Sequence, residues 1–93
     1  MSRALLEEVT WDQEKITSFD WVGYKSLPVG FAVPQIEAVL INQTEGKAMG
    51  AGETSITAVA AAIGNAVFDA TGARLREIPF TPQRVKAALA ARG

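Results

Sequence analysis

Apolar residues recur at intervals of three and four between Ile56 and Ala70. Ile56, Val59, Ala60, Ile63, Val67 and Ala70 line one face of a helix. The opposite face, Ala58, Ala61, Ala62 and Ala66, is small and apolar too. A helix apolar on most sides is usually buried on most sides, so the pattern predicts an interior helix near 55–71. Thr54 or Ser55 can cap it, and Gly72 stops it. Thr81-Pro82-Gln83 is a second helix start, threonine as cap and proline in the first turn. It opens a helix near 82–91 with Val85, Ala88 and Leu89 on one face.

Elsewhere the period is two. Residues 4–11 set Leu6, Glu8 and Thr10 against Leu5, Glu7, Val9 and Trp11, and 15–19 follow across Asp12-Gln13-Glu14, which reads as strand, turn, strand. By propensity, Ala4-Leu-Leu-Glu-Glu8 could equally begin a short helix. The best strand is 35–41, with Ile36, Ala38 and Leu40 on one side and Glu37, Val39 and Ile41 on the other, bounded by Pro34 and Asn42. A further extended segment lies near 74–79. Between Asp20 and Pro34, Gly23, Pro28 and Gly30 interrupt the chain and Trp21, Tyr24 and Phe31 stand among them, an irregular connection whose aromatics pin it to a core or line a pocket. The expected fold is α+β: a small mixed or antiparallel sheet on the long helix, with a C-terminal helix, in a single domain over 1–93.

Composition narrows the chemistry. The 93 residues contain no cysteine and no histidine, which excludes disulfides, thiolate or imidazole metal sites, iron–sulfur ligation and a Ser-His-Asp arrangement within this chain. The net charge of -1 argues against broad nucleic-acid binding. It conceals an asymmetry: Arg74, Arg76, Arg84, Lys86 and Arg92 follow Gly72 against one acid, Glu77, which is ordinarily a solvated basic face. No apolar stretch is long enough to span a bilayer, so no membrane partner is expected. Met1-Ser-Arg3 leads into acidic residues rather than a signal-peptide core.

Three of the eight glycines fall at 46, 50 and 52, directly before Glu53. A phosphate-binding Walker loop needs Gly-Lys-Ser/Thr before its helix, and a dinucleotide fingerprint needs a third glycine; Gly50-Ala51-Gly52-Glu53-Thr54 supplies neither. Two readings stay open. Glu53 is a carboxylate presented as a general base by backbone that can approach a bound group closely, or it complements the dipole of a helix it begins.

The run Gly50-Ala-Gly-Glu53-Thr-Ser-Ile-Thr-Ala-Val-Ala-Ala-Ala-Ile-Gly-Asn65 and its continuation Ala70-Thr71-Gly72-Ala-Arg74-Leu-Arg76 resemble the carboxy-terminal end of the molybdenum-binding subunit of the xanthine dehydrogenase and aldehyde oxidase family, nearest its isoquinoline-oxidoreductase-like branch. Ala4-Leu-Leu-Glu7-Glu8, Phe19-Asp20 with Tyr24, and Val33-Pro34-Gln-Ile36-Glu37-Ala-Val-Leu40 stand in the family's order, so the resemblance covers nearly the whole chain. It implies a molybdenum hydroxylase acting on an aldehyde or N-heterocycle. Glu53 matches the glutamate that takes a proton from a molybdenum-bound hydroxide, and Gly50, Ala51 and Gly52 match the turn beside the metal and its molybdopterin, in the cytosine dinucleotide form. The implied partners are the remainder of the subunit and an iron–sulfur subunit, in the cytoplasm or periplasm.

The family's subunit is much longer, and its other cofactor loops have no counterpart here. The chain is therefore expected to be inactive alone, as a piece of a larger enzyme. The alternative is a non-catalytic remnant that docks or dimerises through apolar helix surface.

Overall fold

The computed structural model describes residues 1–92. It contains helix α1 (Ser2–Leu5), helix α2 (Thr54–Thr71) and helix α3 (Pro82–Ala90). The only β pairing among the described residues is one antiparallel bridge, Trp11 with Ile16.

The helices follow from local chemistry. α2 is rich in alanine, the best helix former, and ends where Gly72 takes φ 69°, a left-handed conformation that costs glycine little. Gly64 interrupts the helix at a cost of about 1 kcal/mol against alanine. It faces Phe80: a Cβ built on Gly64 would stand 3.6 Å from the Phe80 ring, an ordinary van der Waals contact. α3 begins at Thr81, whose side chain accepts a hydrogen bond from the Arg84 amide at 3.3 Å, with Pro82 at the helix start. α2 has Glu53 as its N-cap, not Thr54 or Ser55. The Thr54 hydroxyl instead donates back to the Ala51 carbonyl at 3.2 Å.

The expected α+β sheet does not form. Of the strand at 4–11, the first residues turn in α1, the helical alternative their propensity allowed. The turn between 11 and 15 does form: the Asp12 carboxylate accepts from the amides of Glu14 and Lys15 at 2.8 and 2.9 Å. The pairing with 15–19 stops at the single bridge, the Asp12 amide on the Lys15 carbonyl at 3.0 Å, and the Thr17 and Ser18 amides on the Thr10 carbonyl at 2.8 and 3.3 Å. Residues 35–41 are without regular structure and every one is exposed, and 74–79 bend without a partner. A strand satisfies its amides on another strand, and the described residues offer 35–41 none. The interior position expected for α2 is corrected as well: no α2 residue is buried, and only the side of Val59, Ala60, Ile63, Gly64 and Val67 is partly covered.

The buried apolar residues are Ala4, Ala73, Pro79 and Phe80. Phe80 joins the chain's ends. Its amide donates to the Ala4 carbonyl at 2.7 Å, and its ring lies between Gly64 of α2 and a cleft lined by Leu5, Leu27 and Phe31. A second tie is ionic: the Arg84 guanidinium takes both oxygens of Glu8 at 2.7 and 3.2 Å, Glu77 at 2.9 Å and the Pro79 carbonyl at 3.1 Å. Its neighbouring acids, the Glu8 hydrogen bonds first, push the Arg84 pKa up.

The radius of gyration is 17.1 Å, against about 13 Å for a compact domain of about 100 residues. The accessible surface is 8274 Å², where a compact 9.9 kDa protein exposes about 5,200 Å². About 3,000 Å² thus remains outside that a self-sufficient domain would cover.

Phe80→Ala is expected to lower the unfolding free energy by about 3 kcal/mol, read from the urea midpoint, while Ile36→Ala, at an exposed position, stays within about 0.5 kcal/mol. A second prediction concerns Glu7. The Ser2 hydroxyl, then the Tyr24 hydroxyl donating at 2.7 Å, hold its carboxyl below the ordinary value of 4.5. The stabilisation this gives is complete above the unfolded-state pKa and lost as pH falls through the lower folded-state pKa. Tyr24→Phe should move the Glu7 titration upward, measured by NMR, and weaken the fold's resistance to acid.

Candidate functional site

Gly50, Ala51, Gly52 and Glu53 form one exposed turn at the amino end of α2. Glu53 has φ -109° and ψ -20°, its carbonyl accepts from the Ile56 amide at 3.0 Å, and its carboxylate has no hydrogen-bond or ion-pair partner among the described residues. It stands at the positive end of an 18-residue helix and in solvent.

The glycines of this turn have no internal explanation. Among the described residues only Gly30 and Gly72 have positive φ, so Gly50 and Gly52 occupy backbone that other residues adopt. A Cβ built on either meets nothing within 4 Å. The same holds for Gly46. If the fold of this chain does not call for bare backbone at 50 and 52, contact from outside it is the reason that remains.

The structure brings the four expected site residues together by their contiguity and adds no other reactive group. No set of three or more Asp or Glu side chains is grouped to hold a metal among the described residues. Toward a molybdenum–pterin group, the residues fit as one wall: side-chain-free backbone that a large planar ring can approach, and one carboxylate without a competing partner. They do not enclose or ligate it. Beside the turn, α1 and α2 flank a cleft of about 480 Å³ lined by Ser2, Glu7, Ser55, Ile56, Val59 and Ile78.

Two polar clusters escaped sequence reasoning. Arg84 with Glu8 spans 76 residues, and Tyr24 with Glu7 spans 17; neither leaves a local pattern. Arg74 is also absorbed structurally, its guanidinium 3.4 Å from the Phe68 ring centroid and donating to Asn65 Oδ1 at 3.2 Å. The basic tail is thus partly occupied within the chain.

The chain is 41% identical over 92 residues to a nicotinate dehydrogenase subunit of Pseudomonas putida, covering 99% of this chain. It is 38% identical over 88 residues to PaoC, the aldehyde oxidoreductase molybdenum-binding subunit of Escherichia coli, covering 87% of this chain. A shorter match, 46% over 52 residues and 56% of this chain, is to the membrane-bound aldehyde dehydrogenase [pyrroloquinoline-quinone] of Gluconacetobacter polyoxogenes. The chain spans 8%, 12% and 7% of these relatives' lengths. No protein-family model and no solved structure matches it. At 41% and 38% identity over 99% and 87% of its length, the chain belongs to the xanthine dehydrogenase and aldehyde oxidase family, within the part represented by its molybdenum-binding subunits.

Proposed function

We propose that the chain is the carboxy-terminal segment of the molybdenum-binding subunit of an oxidoreductase that hydroxylates an aldehyde or an N-heterocycle with oxygen from water, and that Glu53 is its general base. The observation that carries this reading is the Gly50–Glu53 turn, open to solvent, built of glycines that this chain does not itself require, and ending in an unpartnered carboxylate. Molybdopterin, in the cytosine dinucleotide form, supplies the two-electron oxidation when bound. Gly50, Ala51 and Gly52 hold the backbone beside it. Glu53 accepts the proton released as water's oxygen becomes nucleophilic.

The remainder of the subunit supplies the other walls of the site, and an iron–sulfur subunit carries the electrons away. Neither function has residues in this chain, which is inactive by itself on this reading. The match to the relative named for pyrroloquinoline-quinone covers little more than half of the chain, while the match to the one named molybdenum-binding covers 87%. The broader match favours molybdenum. A second reading, a non-catalytic chain that docks or dimerises, draws on the uncovered alanine face of α2; its mark would be a stable dimer in solution with normal turnover of any enzyme carrying altered Glu53.

Glu53→Gln in the complete enzyme is expected to lower kcat by about 10²- to 10⁴-fold with molybdenum content unchanged; undiminished turnover removes Glu53 from the chemistry. Gly50→Ala separates the fold from the site. It should leave the stability of this chain within about 0.5 kcal/mol, because the added methyl meets nothing, and yet reduce cofactor retention in the complete enzyme.

A further inference from the structure

Residues 36–41 combine three properties that do not belong together in a finished fold. They carry strong strand character, alternating and β-branched, between Pro34 and a turn closed by the Gln43 amide on the Ile41 carbonyl at 2.9 Å. Their large side chains are in water: Ile36 is 78% exposed, Val39 79%, Leu40 93% and Ile41 88%. And among the described residues the amides of 36–40 make no hydrogen bond. An extended apolar segment with free amides is a template for strand pairing.

The pattern says which kind of pairing. Ile36 and Leu40 fall on one face, Val39 and Ile41 on the other, so both faces are apolar except at Glu37. A strand on the rim of a sheet with one wet face alternates polar with apolar; one covered on both faces reads as nearly continuous aliphatic residues. The occupant must therefore bring a sheet edge and cover above and below it. A second copy of this chain brings no sheet, since its only β pairing among the described residues is one bridge. The relatives, of which this chain spans 8% and 12%, have ample length for such a sheet.

We infer that residues 36–41 add as a strand to the edge of a sheet in the remainder of the molybdenum-binding subunit, and that this pairing sets the position of the Gly50–Glu53 turn. The inference rests on the functional reading above. Only residues 42–49 separate the strand from the turn, so fixing the strand's register fixes where the turn is delivered. A slip by one residue would exchange the two faces and shift the turn with them.

The test uses the E. coli aldehyde oxidoreductase molybdenum-binding subunit as probe, its homologous segment replaced by residues 1–93, with backbone hydrogen exchange measured in this chimera and in the chain alone. In the molybdenum-loaded chimera, the amides of 36–41 should exchange at least about 100-fold more slowly than in the free chain. Alternate amides of an edge strand face its partner, so one of Ala38→Pro and Val39→Pro removes a ladder donor and should reduce the yield of loaded chimera about tenfold or more. Exchange at the free-chain rate in a loaded chimera, or normal loading with both Ala38→Pro and Val39→Pro, overturns the strand and leaves the functional reading standing. A chimera that folds without taking up molybdenum contradicts the functional reading, and the strand with it.

Discussion

The hydrogen bond from the Phe80 amide to the Ala4 carbonyl, 2.7 Å long, holds the two ends of the chain together. Around it are gathered the other buried residues near the termini: Ala4 itself, Pro79, and the Phe80 ring seated over Gly64. The Arg84 contacts to Glu8, Glu77 and the Pro79 carbonyl close over the same junction. Because Gly64 lies midway along α2, the joint also anchors the helix whose first residue follows Glu53. The candidate site is thus positioned at its back by packed residues and left unsupported at its front. From Ala32 to Gly52, beyond Phe31, every residue is exposed.

That arrangement accounts for the excess surface. A chain that covered its own apolar residues would not leave Trp21 92% exposed, nor both faces of 36–41 in water. The uncovered area is of the size found in permanent interfaces rather than in transient encounters. It is distributed over residues 32–52, the aromatics beyond the Trp11–Ile16 bridge and the alanine face of α2. Such a distribution suits a piece that threads into a larger body more than one that meets a partner across a single flat patch.

The features legible in the sequence were those with local causes. Gly72 ended α2 and Thr81-Pro82 began α3 because a left-handed stop and a side-chain cap are decided within a few residues. The Asp12 turn was legible for the same reason. The sheet was not, since alternation states that a strand is suitable and says nothing of whether a partner lies in the same chain. The apolar circumference of α2 misled in a related way: it records the surroundings the helix is suited to, which this chain does not supply. At the site, local sequence left Glu53 as either a base or a dipole partner. The ordered resemblance favoured the base, and the geometry added what sequence could not, that Gly50 and Gly52 satisfy no demand of the chain's own backbone or packing.

On the proposed reading those two glycines answer to the bound cofactor, outside the chain. A structure of the complete subunit with its molybdenum centre bound tests this most directly, by the distance from the Gly50–Gly52 backbone and the Glu53 carboxylate to the cofactor. Van der Waals contact of the turn with the bound group, and the carboxylate facing its metal, is the expected result. A turn that faces solvent there, with other protein elements lining the cofactor, would contradict it.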